Sequence, residues 1–198
     1  LQSIGYSTSA LSHSIDDGKI RPDIDIATKT IPSSLIEYVA LNSGGVKKIE
    51  WTNKDFTILR RMNITIHESS QLSDFCWNSP NETLTEVLRS YELIAMNPRN
   101  DSSFSSICNM SNLFYCDIIS LDYTSGRGGI QLPYKLRGSD IKAATDRGIV
   151  FELSYAPALT NPSKRKAFVQ TARQFLNATL GVKDSLHQPP KLIISSGD

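Results

Sequence analysis

The sequence predicts an α/β fold of the barrel type, and three observations carry that expectation. Apolar, strand-like runs alternate with helical patterns, the signature of parallel strands joined by crossover helices. The last run, Leu192–Ser195, is short and apolar, as suits a strand buried on both faces. The 198 residues suffice for a sizeable core but fall short of the roughly 250 that a complete eight-stranded barrel typically needs. An open doubly wound sheet is the second architecture compatible with this alternation.

Six strands are expected, at Ser7–His13, Thr57–Ile66, Leu93–Met96, Asp117–Asp122, Ile149–Tyr155 and Leu192–Ser195. Between the second and third, Asn81 is suited to cap a helix whose stripe is Leu84, Val87 and Leu88 and which ends near Ser90. A weaker helical pattern covers Ser105–Leu113. Ser139 is expected to cap Asp140–Asp146, with Gly148 just past the end as the left-handed closing residue. The strongest helix is Pro162–Leu180, with Asn161 as cap, Pro162 in the first helical position and Gly181 at its close. Phe168, Ala172, Phe175, Leu176 and Leu180 form its expected buried stripe. Pro189-Pro190 then leads into the final strand. Residues 14–56 read as an elaborated connection between the first two strands, with a short helix at Ser33–Leu41 followed by Gly44-Gly45.

The whole chain, 1–198, is expected to form a single barrel-like domain. Leu1–Gly5 resembles the tail of a helix, and Asp198 follows the last strand with no helix to cover it. These ends suggest a fragment, or the ordered part of a longer chain.

Composition narrows the function. Hydrophobic residues make up 39% and charged residues 21%, ordinary for a globular domain, and no apolar run approaches a membrane span. Three cysteines without a C-x-x-C pair argue against a disulfide framework or a thiolate zinc site and fit a reducing compartment. Five N-x-[ST] patterns, at Asn63, Asn81, Asn100, Asn109 and Asn177, are read as chance in an Asn- and Ser-rich chain. A secreted glycoprotein module is the reading they would otherwise support. The net charge of +1 hides an asymmetry, with a net of −5 over residues 1–122 and +6 over 123–198. A basic C-terminal third points to an anionic partner for one face.

Lys164, Arg165 and Lys166 crowd the first turn of the strongest helix, where cations oppose the helix dipole unless an anion sits nearby. In a barrel that turn opens at the C-terminal mouth, where binding sites are built. Arg127, Lys135 and Arg137, on the loop after the fourth expected strand, open to the same side. A phosphate-contacting surface and a set of solvated cations both account for these residues. Tyr123 and Tyr134, among the cations, are suited either to stacking on unpaired bases or to covering a core edge. Gly126-Arg127-Gly128-Gly129 lacks the Gly-Lys-Ser/Thr of a P-loop and reads as a flexible loop.

Catalytic constellations are sparse. The histidines are His13, His67 and His187, with no H-x-H or H-E-x-x-H, and the carboxylates at strand ends are Asp122 and Glu152. There is no G-x-S-x-G. Glu152 alternates against apolar neighbours and, as a buried carboxylate, requires a partner such as Arg61 or Arg147. A metal-dependent phosphoesterase using His13 and His67 is the alternative function.

One set of blocks is more specific. Leu132-Pro133-Tyr134, Asp146-Arg147-Gly148 with Glu152, Tyr155-Ala156-Pro157-Ala158 and Ile193–Gly197 resemble the thirty-kilodalton-type protein subunit of eukaryotic and archaeal ribonuclease P, which in eukaryotes is shared with ribonuclease MRP. Upstream, Gly5-Tyr6-Ser7 with His13, Ile58–Arg61 and Asp117–Ile119 keep the register, while the family's opening strand and final strand–helix units find no match. The resemblance implies a TIM-like (β/α) barrel of the PHP type, incomplete in this chain, related to metal-dependent phosphoesterases without their metal ligands. It implies a non-catalytic, RNA-binding subunit that supports a catalytic RNA in removing the 5′ leader of precursor tRNA. Magnesium is then expected with the RNA and no cofactor on the protein. The implied partners are the catalytic RNA, a small ferredoxin-like subunit, other ribonuclease P/MRP proteins and precursor tRNA, in the nucleus and nucleolus or, in an archaeon, the cytoplasm. Arg147, Arg165 and Lys166 fall on family-like basic positions; Arg147 is alternatively structural, bonding Glu152 or a helix end, like the motif residues Arg61, Gly148, Glu152, Tyr155 and Pro157.

Overall fold

A computed structural model describes residues 8–17, 19–20, 57–76, 82–111, 115–180 and 189–197. Asn81, Gly181, His187, Leu113, the Ser33–Leu41 helix and Gly44-Gly45 lie outside the described residues. Six strands, β1 (Thr8–Ile15), β2 (Thr57–Ile66), β3 (Leu93–Pro98), β4 (Ile118–Ser120), β5 (Val150–Ser154) and β6 (Leu192–Ser195), form one sheet in the order 1-2-3-4-5-6. Every neighbouring pair is parallel. In a parallel sheet whose strand order never reverses, crossovers of one hand place the connecting helices on one face and leave the other free to curl inward. The result is a half-barrel of the TIM type. The doubly wound alternative needs a reversal of strand order, which this sheet lacks.

The helices are α1 (Glu82–Arg89), α2 (Asp101–Asn109), α3 (Gly138–Asp146), α4 (Ala156–Thr160) and α5 (Pro162–Leu180), with 3-10 turns at Ser69–Phe75 and Arg127–Gly129. On β2, Met62, Ile64 and Ile66 are fully buried toward the helices. Ile94, Met96, Ile119, Phe151 and Leu153 continue that layer, met by Val87, Leu88, Phe104, Ile107, Ile141 and Phe175. Each such side chain taken from water contributes about 1.5–3 kcal/mol. Phe151 and Phe175 pack with ring centroids 5.0 Å apart. None of the described helices is long and apolar enough to cross a membrane.

Local chemistry sets the helix ends. Asn161 Oδ1 accepts from the amides of Ser163 at 2.8 Å and Lys164 at 3.3 Å, the expected cap of α5. Gly148 has φ +84°, as its role beyond α3 requires. Other ends depart from expectation. Helix α2 starts at Asp101, not Ser105, because Asn100 and Ser103 form a reciprocal capping box. Helix α3 begins at Gly138 with Arg137 in the cap position, so Ser139 is not its cap. Strand β1 runs to Ile15, which puts His13 inside it and not at its end. Helix α4 occupies a stretch that the sequence reading left without structure.

The buried side of α5 is Ala167, Thr171 and Phe175, with Phe168 and Ala172 partly covered. Leu176 and Leu180, expected in the stripe, are 56% and 66% exposed. Strand β6 is likewise not buried on both faces, with Ile193 43% and Ile194 60% exposed. The reason is shared: β6 is an edge strand of the sheet, so no described strand or helix covers that flank.

Candidate functional site

Alternation along the strands gives the concave face its own chemistry. The register aligns Ser14, Asn63, Ala95, Ile118 and Val150 in one row, and Ser120, Glu152 and Ile193 in a row nearer the C-terminal ends. Barrel interiors are normally filled by branched apolar side chains. Here Leu93, Ile118 and Val150 follow that rule, but Arg61 and Asn63 share their rows from β2, and Ser120 and Glu152 make the next row polar. A cleft of about 510 Å³ opens there, walled by Arg61, Asn63, Asn97, Ser120, Glu152 and Lys164 among others.

Glu152 is 3% exposed and is held by Arg61, one of the two partners the sequence allowed. Arg61 Nη1 donates to Glu152 Oε1 at 2.6 Å, and Nη2 pairs with Oε2. Ser120 Oγ adds a bond to Oε2 at 3.1 Å, and Arg61 Nε donates to Asn63 Oδ1 at 2.6 Å. Burial pushes the Glu152 carboxyl up, but the bonds and charge of Arg61, with Ser195 and Ser120, hold it below the usual range. Asp122, two residues past β4, is tied in the same way. Thr124 donates from its amide at 2.9 Å and hydroxyl at 2.6 Å, and Arg99 Nη1 reaches the other oxygen at 2.8 Å. Burial again raises this carboxyl, and Thr124, Arg99 and Asn97 bring it below its ordinary value.

Both carboxylates expected at strand ends are therefore engaged by guanidinium groups, and neither is at a strand end: Glu152 is in the middle of β5 and Asp122 is two residues past β4. Among the described residues, no group of three or more His, Cys, Asp or Glu is placed to hold a metal ion. His67 faces the backbone of Asp16, with Nε2 2.8 Å from its carbonyl oxygen, and His13 stacks beside Tyr91 at 6.4 Å.

Arg147, the other potential partner of Glu152, lies elsewhere. Its Nη1 donates to Ile107 O at 2.7 Å and Cys108 O at 3.1 Å, closing the C-terminus of α2. Burial lowers its pKa, and the neighbouring Cys116, Cys108 and Cys76 work against that shift. The three thiols are free and buried; burial pushes Cys116 up to about 12 and raises Cys108 and Cys76.

The loop after β4 is pinned to the core. Tyr123 is 1% exposed and donates to Ser154 O at 2.9 Å, with Phe168 edge-on at 6.0 Å. Tyr134 donates to Ser120 O at 3.4 Å and stacks on Phe104 at 4.5 Å. Both tyrosines cover a core edge and neither presents a stacking platform. Gly126–Gly129 is a defined 3-10 turn closed by Gly126 N donating to Gln131 O at 3.0 Å, a fixed loop where a flexible one was expected. A Cβ on Gly126 would sit 2.2 Å from that same carbonyl oxygen, so the closure admits only glycine.

The expected cations fall into three settings. Arg127, at the turn's tip, and Lys135 are exposed. Arg137 pairs with Asp101 at 3.5 Å and Asp140 at 3.6 Å, so part of its role is to hold α3 against α2. The Lys164–Lys166 cluster divides: Lys164 lines the mouth cleft, while Arg165 and Lys166 line a shallow groove along α5 with Val169, Gln170 and Arg173. Arg165 Nε also donates to Ala158 O at 3.1 Å, locking α4 to α5. Tyr155 takes Ser195 O through its amide at 2.8 Å, and Pro157 walls the cleft. Arg99, Asn97 and Ser120 are site residues the sequence reading missed. The alternation of Arg61, Asn63 and Thr65 against Met62, Ile64 and Ile66 marks the same polar face in β2.

A sequence model of the family described as RNase P subunit p30 matches residues 1–197. The chain belongs to that family. Protein GAMETOPHYTE DEFECTIVE 1 of Arabidopsis thaliana is 31% identical over 134 residues, 68% of this chain and 20% of that protein. The probable ribonuclease P protein subunit 3 of Schizosaccharomyces pombe is 24% identical over 91% of this chain and 62% of its own length. Ribonuclease P protein subunit p30 of Mus musculus is 22% identical over 90% of the chain, which spans 58% of that relative. Among solved structures, a chain of an archaeal ribonuclease P with mature tRNA superposes with a TM-score of 0.56 at 11% identity, covering 100% of this chain and 67% of that one. That likeness bears on the p30-type fold alone.

Proposed function

We propose that the protein is a non-catalytic, RNA-contacting subunit of ribonuclease P that supports the catalytic RNA in removing the 5′ leader from precursor tRNA. Membership of the p30 family supports the assembly. The observation that carries the non-catalytic role is the state of the mouth: Glu152 and Asp122, the carboxylates of its inner wall, are each occupied by an arginine. A carboxylate so paired is a poor general base and a poor metal ligand, because guanidinium fills its lone pairs. Catalysis and the magnesium it uses then belong to the RNA, and the protein binds no cofactor.

The cations around the mouth and along α5 supply the RNA contact. Helix α5 carries Lys164, Arg165, Lys166 and Arg173 and no acidic residue. Its partners are the catalytic RNA, precursor tRNA, a small ferredoxin-like subunit and other proteins of ribonuclease P and MRP. The MRP association extends its role to ribosomal RNA processing, in the nucleus and nucleolus, or in the cytoplasm of an archaeon. The test is binding to the RNA that copurifies with the native protein. Replacing Lys164, Arg165 and Lys166 by Ala should weaken it and flatten its salt dependence, by up to about 0.9 in log–log slope per lost phosphate contact on duplex. Unchanged affinity and slope would remove this helix from the interface.

A further inference from the structure

A polar layer at the mouth of a barrel-type sheet is costly. Amide and hydroxyl groups occupy positions where branched apolar side chains would pack, and they leave about 510 Å³ open beside them. That volume falls within the range of small-ligand sites, about 300–1,000 Å³. The lining indicates the kind of ligand. Of its three carboxylates, Glu152 and Asp122 are neutralised by Arg61 and Arg99, and the third, Asp16, lies exposed at the rim, so the inner wall does not repel an anion. Asn63, Asn97, Ser120 and Ser154 line the interior with amides and hydroxyls that already bond Arg61, Asp122, Glu152 and Ser195, so the wall is an ordered polar surface that suits a neutral group with several polar edges. Asn97 Oδ1 is buried in this wall, and among the described residues no donor meets it. Ala156 and Pro157 give one apolar side, and Lys164, with no ion-pair partner among the described residues, stands at the cleft as its free cation.

We propose that the mouth cleft receives one unstacked nucleotide of a single-stranded RNA segment, its base and ribose among the amides and hydroxyls and its phosphate on Lys164. This rests on the RNA-contacting reading above and refines it. The cleft selects single strands, since a nucleotide held in a duplex cannot enter, while the exposed groove of Arg165, Lys166 and Arg173 meets phosphates of either form.

The test blocks the cleft at its exposed rim. Thr160→Trp and Ser196→Trp, made separately and checked for unchanged thermal unfolding, are titrated with a short uridine-rich single strand and with a blunt RNA duplex. Each should weaken the single strand about tenfold and leave the duplex unchanged, and Lys164→Ala should weaken the single strand more than the duplex. Arg165→Ala with Lys166→Ala should weaken both forms. Block variants that keep single-strand affinity, or that weaken both forms equally, overturn the proposal. A parallel arm adds free uridine monophosphate and follows the side-chain amide resonances of Asn63 and Asn97. If neither RNA binds the unaltered protein, the RNA-contacting reading fails; the cleft then stands only if uridine monophosphate moves those resonances and Thr160→Trp abolishes the effect, and it falls if nothing moves.

Discussion

Arg61 and Glu152, 91 residues apart in the chain, meet inside the concave face with both guanidinium arms on both carboxylate oxygens. Their side chains are 12% and 4% exposed, so each charge depends on the other. Arg61→Met should therefore cost roughly 3–5 kcal/mol by leaving a buried carboxylate unpaired. The double variant Arg61→Met, Glu152→Leu should recover most of that loss. Urea unfolding of the two decides it, and equal stabilities would show that the ion pair is not what holds the face.

The sign of the carboxylate shifts sets an acid limit on stability. The bonds from Arg60 lower Glu92 to about 2, and Glu152 and Asp122 are also depressed. A depressed carboxyl contributes stability that is fully present above its unfolded value, about 4.3 for Glu, and is lost as pH falls through the folded value. The melting temperature of the protein should thus decline over that interval. Glu92→Gln should show a shallower decline there, and an identical pH profile would refute the assignment of Glu92.

Arg147 has a structural role distinct from the mouth. Its two bonds close α2, and a lysine ammonium cannot reproduce the planar fork. Arg147→Lys should lower stability by about 1–3 kcal/mol and leave RNA affinity unchanged at temperatures where the variant is folded. A selective loss of RNA binding would move Arg147 into the interface.

Two glycines should respond differently to alanine. At Gly148 no atom lies within 4 Å of an added Cβ, so only the φ of +84° is penalised, about 1 kcal/mol. At Gly126 the Cβ would meet backbone 2.2 Å away and the whole turn must shift. Gly126→Ala should therefore be the more destabilising, and it should expose Tyr123 and Tyr134 to quenchers. Equal melting temperatures would contradict this ranking.

The three thiols should react slowly with aromatic disulfides near pH 8, as burial both hides them and raises their pKa values. Rapid modification of the folded protein would show that this part of the core opens readily.

How much of this was legible in the sequence follows the range of the forces involved. Period-two and helical patterning placed all six strands, two of them to the residue, and fixed the bounds of α5 with its Asn161 cap and the glycine after α3. Those features are local: caps bind amides two or three residues away, and a strand's faces alternate whatever lies opposite. The same locality left the start of α2 and the identity of the partner for Glu152 open. Arg61 and Arg147 are both cations near strands in sequence, and only the parallel register brings Arg61 across from Glu152 while sending Arg147 to the end of α2. Tertiary structure also divided the Lys164–Lys166 cluster, because a 100° step per residue turns adjacent side chains of one helix toward different neighbours. The sequence by itself determined a parallel α/β chain with a basic C-terminal third and a family motif. Which of its charges are spent on each other, and which remain for a partner, was decided only when strands distant in the chain closed into one concave face.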